Sequence, residues 1–257
     1  MEPAEQSFFT SETSIVRKIW GTPDVVLFIF AGASAEFALN KSVDWLYFTG
    51  KLPADPIGRL FSTVAYAKQI VFAKKATAEH TISSIKDIHV HVENARGMDI
   101  PQWAYRDVLF MLIHYSIASY TLLERNLTEA EKEEVHKVFI SVGRGMQIEG
   151  LPSSFIAWQP VHAQHLKDHL QHTALTADLF KQYRKHLGYF RFLLLLQCQS
   201  MVAPRHVKTL LGLKTYWLTK AMLWTYKLFR SRSQHLLKLV LPPKYRKKQY
   251  WQYLHHH

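Results

Sequence analysis

The sequence predicts an all-α fold: a single domain of roughly eight to ten helices. Three observations predict it. Apolar residues recur at helical spacing wherever elements can be placed, as in Ile82, Ile85, Ile88 and Val92. No run sustains the period-2 alternation of a half-buried strand. No repeat, low-complexity tract or Gly/Ser-rich linker divides the 257 residues, and a content of 48% hydrophobic and 13% aromatic residues supplies one sizeable core.

Taken in order, residues 1–20 read as an N-terminal arm with a short helix ending near Trp20-Gly21-Thr22-Pro23, residues 21–240 as the helical domain, and residues 241–257 as a basic aromatic tail. The first residues, Met1-Glu2-Pro3-Ala4-Glu5-Gln6, lack the basic-then-apolar order of a signal peptide, so a cytoplasmic location is expected. Asp24 to Leu39 opens with a capping Asp and is apolar nearly all round. Glu36 interrupts it and it falls short of about 20 apolar residues, which makes it a buried helix rather than a membrane span. Gly32, Ala33, Ser34 and Ala35 would let another helix, or a flat ligand, come close. Asn40 to Lys51 carries Trp45, Leu46, Tyr47 and Phe48 on a short amphipathic helix.

Pro56 suits the first turn of a helix, where its missing N–H has no partner to lose. That helix is expected over about 57–78. At about 100° per residue, Arg59, Thr63, Tyr66 and Ile70 share one face, and a guanidinium on a core stripe needs an anion or carbonyls for its donors. The next helix is expected from Thr81, with His89 inside the stripe of Ile82, Ile85, Ile88 and Val92 and His91 pointing the other way. His89 is either a core histidine bonded to a backbone carbonyl or an axial metal ligand on a rigid, dry helix.

Arg96-Gly97 ends that helix, and a long one starts near Pro101. Val108 to Leu123 carries no formal charge and is apolar all round, which marks it as the most buried element. Its His114 must be neutral and partnered, by a core hydrogen bond or as a second candidate ligand. Thr128 and Glu131 form a capping box for a helix running to about Ile148, and the acids around them read as a solvated helix start, although Glu133 and His136 share the Glu-x-x-His spacing of di-iron bundles.

His162, His165, His169 and His172 fall within about 80° of one another on a helix. They either present two or three imidazoles to a metal or form a histidine-rich surface stripe, and Asp168 is the one carboxylate near them in sequence. Leu193 to Leu196 lies in a further core helix. In Leu213 to Arg230, Lys220, Lys227 and Arg230 form a polar side, while Trp217, Leu223, Trp224, Leu228 and Phe229 lie elsewhere; this helix is expected to pack on the body with its lysines exposed, or else to lie on an anionic membrane surface. Lys244 to Lys248 with Tyr250, Trp251 and Tyr253 would add to such a surface. His255, His256 and His257 have the form of a purification tag and carry no fold information.

The pattern Asp55-Pro56-x-x-Arg59-x-x-x-Thr63, followed by Ile85-x-x-Ile88-His89-x-x-Val92, resembles the family of latex-clearing rubber oxygenases and MpaB-type oxygenases. Tyr105-Arg106-Asp107-Val108-Leu109 with His114, then Leu127-Thr128-Glu129-Ala130-Glu131 and Gly150-Leu151-Pro152, match in order, so the resemblance covers roughly residues 20–160. It implies a helical fold with a globin-like core and a haem b cofactor whose proximal iron ligand is His89. Arg59 and Thr63 would lie near the haem. The implied reaction is cleavage of a carbon–carbon double bond of an apolar, isoprenoid-like molecule with dioxygen. Ser62 stands where the latex-clearing enzymes have a lysine, which points away from rubber itself as substrate.

Composition narrows the alternatives. One cysteine, Cys198, excludes an intrachain disulfide and any site built from several cysteines. The net charge of +12 is uneven: from His162 onward the balance is +15, and the remainder carries −3. No nucleic-acid module accompanies that charge, so nucleic acid is not expected as a partner, and peripheral membrane contact through the basic C-terminal helices is the alternative to their packing on the body. The competing functions are a non-catalytic haem- or lipid-binding protein on the same scaffold, and a haem-free metalloprotein using the stripe from His162 to His172.

Overall fold

Local signals place most helix starts. In the computed structural model, which describes residues 9–233 and 237–246, Ser14 caps α1 (Ile15–Gly21) by accepting from the Val16 N–H, and Pro23 opens α2 (Pro23–Leu39). Thr22 occupies the N-cap position predicted for Asp24. Asp24 instead accepts from Tyr226 and Arg230 far along the chain. α3 (Val43–Phe48) and α4 (Lys51–Ala54) are short. Asp55 then caps α5 (Pro56–Val71), its Oδ1 accepting from the Gly58 N–H at 3.1 Å, and a Cβ at Gly58 would lie 2.5 Å from the same carboxylate.

α5 ends seven residues earlier than expected, and α6 (Lys75–Arg96) starts before Thr81. The cause is tertiary. Thr10 Oγ1 donates to the Val71 carbonyl, Arg17 to that of Phe72, and the Phe9 N–H to that of Ala73, so the N-terminal segment takes up carbonyls that a continuous helix would use. On α6 the predicted stripe is buried only at its start: Ile82 is buried, Ile85 and Val92 are half-buried, and Ile88 is exposed.

α7 (Gln102–Leu123) is the central helix and lies against α2. Gly32 makes that approach close, since a Cβ there would lie 2.2 Å from the Tyr115 ring; the small-residue stretch accommodates a helix. The predicted capping box of α8 (Glu129–Gly145) forms in both directions between Thr128 and Glu131, although the helix stops before Ile148. His136 is buried, with its Nδ1 3.8 Å from Glu133, whose other oxygen accepts from the Phe155 N–H.

α9 (Phe155–His169) is capped by Ser154, and α10 (Ala174–Leu187) by Thr173. α11 (Tyr189–Val202) is not the core helix expected from its leucines: Leu193 and Leu194 are exposed, because the helix packs on one side only. α12 (Arg205–Leu211) is too short for periodicity to reveal, and α13 (Trp217–Ser233), α14 (Leu237–Val240) and a 3₁₀ turn at Pro243–Arg246 complete the chain.

The fold is therefore one all-α domain with, among the described residues, eleven helices of seven residues or more, against the eight to ten expected. An isolated bridge pairs Asn40 with Leu170. No single described helix is long and apolar enough to cross a membrane. Residues 1–8 of the predicted arm, and residues 247–257 of the predicted tail with Lys247, Lys248, Tyr250, Trp251 and Tyr253, lie outside the described residues.

α13 departs in part from expectation. Trp217 (79% exposed), Trp224, Leu228 and Phe229 face outward, whereas Leu223 and Tyr226 pack on the core. Lys220 and Lys227 are exposed as expected, Lys227 donating to the Leu122 carbonyl, but Arg230 turns inward to bind Asp24 and Glu124.

Candidate functional site

Two clusters of polar groups lie on the helices around α7. The first joins α5 and α6. Arg59 Nη1 donates to Ser62 Oγ and Thr63 Oγ1, both at 3.1 Å, and each hydroxyl donates in turn to the Arg59 carbonyl. No described carboxylate pairs with this guanidinium, which leaves donors without an anionic partner.

His89 is close enough to feel that charge. Burial lowers the His89 pKa, Arg59 pushes in the same direction, and the Ile85 carbonyl and Glu93 oppose them, so the imidazole is neutral at pH 7. Its ring meets Tyr105 edge-on at 5.2 Å, and Tyr105 donates to Glu93 Oε1. Arg59, Thr63 and His89 thus lie near one another, as the resemblance implied, with Ser62 beside them. His114 does not join them. It lies nine residues beyond Tyr105 on α7, about 13 Å of helix, and packs at 5.2 Å from His162.

Burial lowers both of these histidines, His114 to about 4, opposed by the Val202 carbonyl, and His162 to about 3, with further lowering by His114 and His165. Both Nε2 atoms are buried without a partner, and His162 stacks on Trp158 at 4.6 Å. A cavity of about 430 Å³ opens onto this pair.

The second cluster completes the histidine stripe in a way the sequence did not show. His165 Nδ1 lies 2.5 Å from Asp107 Oδ1, and His169 Nδ1 lies 3.0 and 2.9 Å from the two Asp107 oxygens. The partner is therefore Asp107 on α7 rather than the neighbouring Asp168, which binds Gln164. His162 faces His114 instead, and His172 lies beyond the end of α9. Asn40 Nδ2 donates to Asp107 Oδ2 at 2.8 Å. The available sequence signals were the His-x-x-x-His spacing and an Asp on the same face of α7 as His114, seven residues before it.

A third feature is an apolar cavity of about 550 Å³. It is walled by Leu27, Phe28 and Ala31 of α2, Leu60, Phe61 and Val64 of α5, and residues of α10, α11 and α13. Trp45, Phe48, Tyr66 and Trp103 do not line it: the Arg96 guanidinium sits 4.1 Å over Trp45, Phe48 is exposed, Trp103 packs 4.4 Å from His169, and Tyr66 lies on the Arg59 face of α5.

Residues 22–234 match the family model described as "ER-bound oxygenase mpaB/B'/Rubber oxygenase, catalytic domain". The chain belongs to this family. The match runs from the start of α2 through α13 and contains both polar clusters and most of the cavity wall, with Leu237, Val240 and Leu241 beyond it. It makes the protein a member of a family of oxygenases. No curated protein and no solved structure matches the chain significantly.

Proposed function

We propose that the protein is a haem b-dependent oxygenase that cleaves a carbon–carbon double bond of an apolar, isoprenoid-like substrate with dioxygen, on a scaffold with the globin-like core of its family. The observation that carries this reading is the convergence of Arg59, Thr63 and His89 across α5 and α6 in a chain of the oxygenase family. The donor set suits haem: a neutral imidazole for iron, and beside it a guanidinium with hydroxyl partners but no carboxylate of its own.

In this reading His89 holds the proximal side, with burial and Arg59 keeping it unprotonated. Arg59 offers its remaining N–H groups to a carboxylate such as a propionate. Thr63 accepts from Arg59 while donating to its carbonyl, which fixes the hydroxyl and the guanidinium together. Ser62 likewise accepts from Arg59 and donates to its carbonyl. The bound haem would supply the dioxygen chemistry.

α5 is the shared wall, with Arg59, Thr63 and Tyr66 on one face and Leu60, Phe61 and Val64 facing the apolar cavity on the other, where a substrate with little polarity would bind. The cavity rim carries Phe190 (84% exposed), Leu193, Leu194 and Met222, continuous with the outward face of α13. An apolar substrate could thus enter from a bilayer surface, with the protein held peripherally on the cytoplasmic side. The same rim favours a second reading, a lipid-binding protein without turnover.

The test is an absorption spectrum with a pyridine haemochrome assay on protein expressed with ample haem. A Soret band lost in His89→Ala and kept in His114→Ala supports the assignment. Colourless wild type refutes it, and haem-replete protein that consumes no oxygen with any alkene or terpenoid selects the lipid-binding reading.

A further inference from the structure

We propose that Asp107, His165 and His169 form a binding site for a divalent first-row transition metal such as zinc or iron(II), separate from His89. The proposal does not depend on haem.

The donor set is the first argument. Two imidazoles four residues apart on α9 and one carboxylate from α7 are the two-histidine, one-carboxylate pattern that binds such ions while leaving coordination positions open. One ligand atom from each residue lies within 4.8 Å of the others, and His169 Nδ1 lies 2.9 and 3.0 Å from the Asp107 oxygens, close to the edge of a coordination octahedron, about 3.0 Å for bonds of about 2.1 Å, with His165 Nδ1 nearer at 2.5 Å.

Charge is the second argument. Asp107 is 5% exposed, and among the described residues no lysine or arginine pairs with it. A dication in their midst would offset the charge of this buried carboxylate.

Orientation is the third. Asn40 Oδ1 accepts from both the N–H and the hydroxyl of Ser42, which forces its NH₂ toward Asp107 Oδ2 and fixes the carboxylate as an acceptor. The Asn40–Leu170 bridge pins the end of α2 to the end of α9 at this point. Phe110 packs on His165 at 5.1 Å and Trp103 on His169 at 4.4 Å, so both rings are held. Their side chains remain 14% and 18% exposed, which leaves one side of the site open to water or an exogenous ligand.

The alternative is a metal-free joint in which both Nδ1–H groups donate to Asp107. Titration of chelator-stripped protein with cobalt(II) and zinc(II) separates the two, read by cobalt d–d absorption and elemental analysis. The full chain is used, with His255, His256 and His257 replaced by alanine so that terminal imidazoles do not contribute. The expected result is one equivalent per chain, affinity reduced at least tenfold in His165→Ala/His169→Ala and in the milder His169→Gln, and binding unchanged in His89→Ala. Folding of each variant is checked by circular dichroism. Substoichiometric binding by the folded protein, or undiminished affinity in His169→Gln, overturns the proposal.

Discussion

Replacing Glu36 by glutamine removes one ionisable group from the middle of the core. Glu36 is buried against Tyr115, and burial raises its pKa from 4.5 to about 8, with Tyr115 opposing and Asp107 adding to the rise. The folded protein therefore keeps a proton that the unfolded chain gives up between about pH 4.5 and pH 8. Because the unfolded state binds fewer protons across that window, unfolding free energy falls as pH rises, by about 1.4 kcal/mol per unit and about 5 kcal/mol in full. The stabilisation is fully present below pH 4.5 and gone above pH 8. His114 and His162 act in the opposite sense at lower pH, since their depressed values make stability rise between about pH 3 and pH 6.5. The interval from pH 6.5 to pH 8 lies above both, and Lys68, lowered by burial to about 8, contributes equally to wild type and Glu36→Gln. Over those 1.5 units, wild type should lose about 2 kcal/mol more than Glu36→Gln, an isostere of the protonated acid. Urea unfolding of both proteins at the two pH values measures this. Parallel pH dependences would refute the reasoning, because they would mean that Glu36 ionises in the folded state much as it does in the unfolded chain.

Two further outcomes follow from α13. Arg230→Ala strips buried Asp24 of a two-point ion pair, Nε to Oδ2 at 2.5 Å and Nη2 to Oδ1 at 2.8 Å, and should cost about 3–5 kcal/mol by denaturant unfolding; a loss below about 1 kcal/mol contradicts burial of that charge. Trp217→Ser/Trp224→Ser should weaken sedimentation with vesicles of mixed phosphatidylserine and phosphatidylcholine several-fold, and wild type that ignores such vesicles rules out the membrane contact.

Much of the local architecture was written in neighbouring residues. Asp55-Pro56 starts α5, Thr128 and Glu131 close a capping box, and the absence of period-2 alternation gives the fold class, since each depends on hydrogen bonds or side-chain directions within a few positions. Helical spacing placed Arg59 and Thr63 on one face, but that His89 of the next helix lies near them was legible only through the family resemblance. The break between α5 and α6 was not. No proline or glycine marks residues 72–74, and the helix ends there because Phe9, Thr10 and Arg17 arrive from outside to bind its carbonyls.

The same division holds for the site chemistry. The sequence by itself determined that His165 and His169 share a helical face, because a period of 3.6 residues does so wherever a helix forms. Only the tertiary structure decided that their carboxylate is Asp107, 58 and 62 residues away, rather than adjacent Asp168. It also decided that Glu36 is buried deeply enough to hold its proton, and that α13 turns its tryptophans outward because Arg230 is drawn inward to Asp24. The physical reason is common to all three. A local pattern fixes which side chains share a face, but which face meets which is set by close packing of whole helices, and that is where buried charges find their partners.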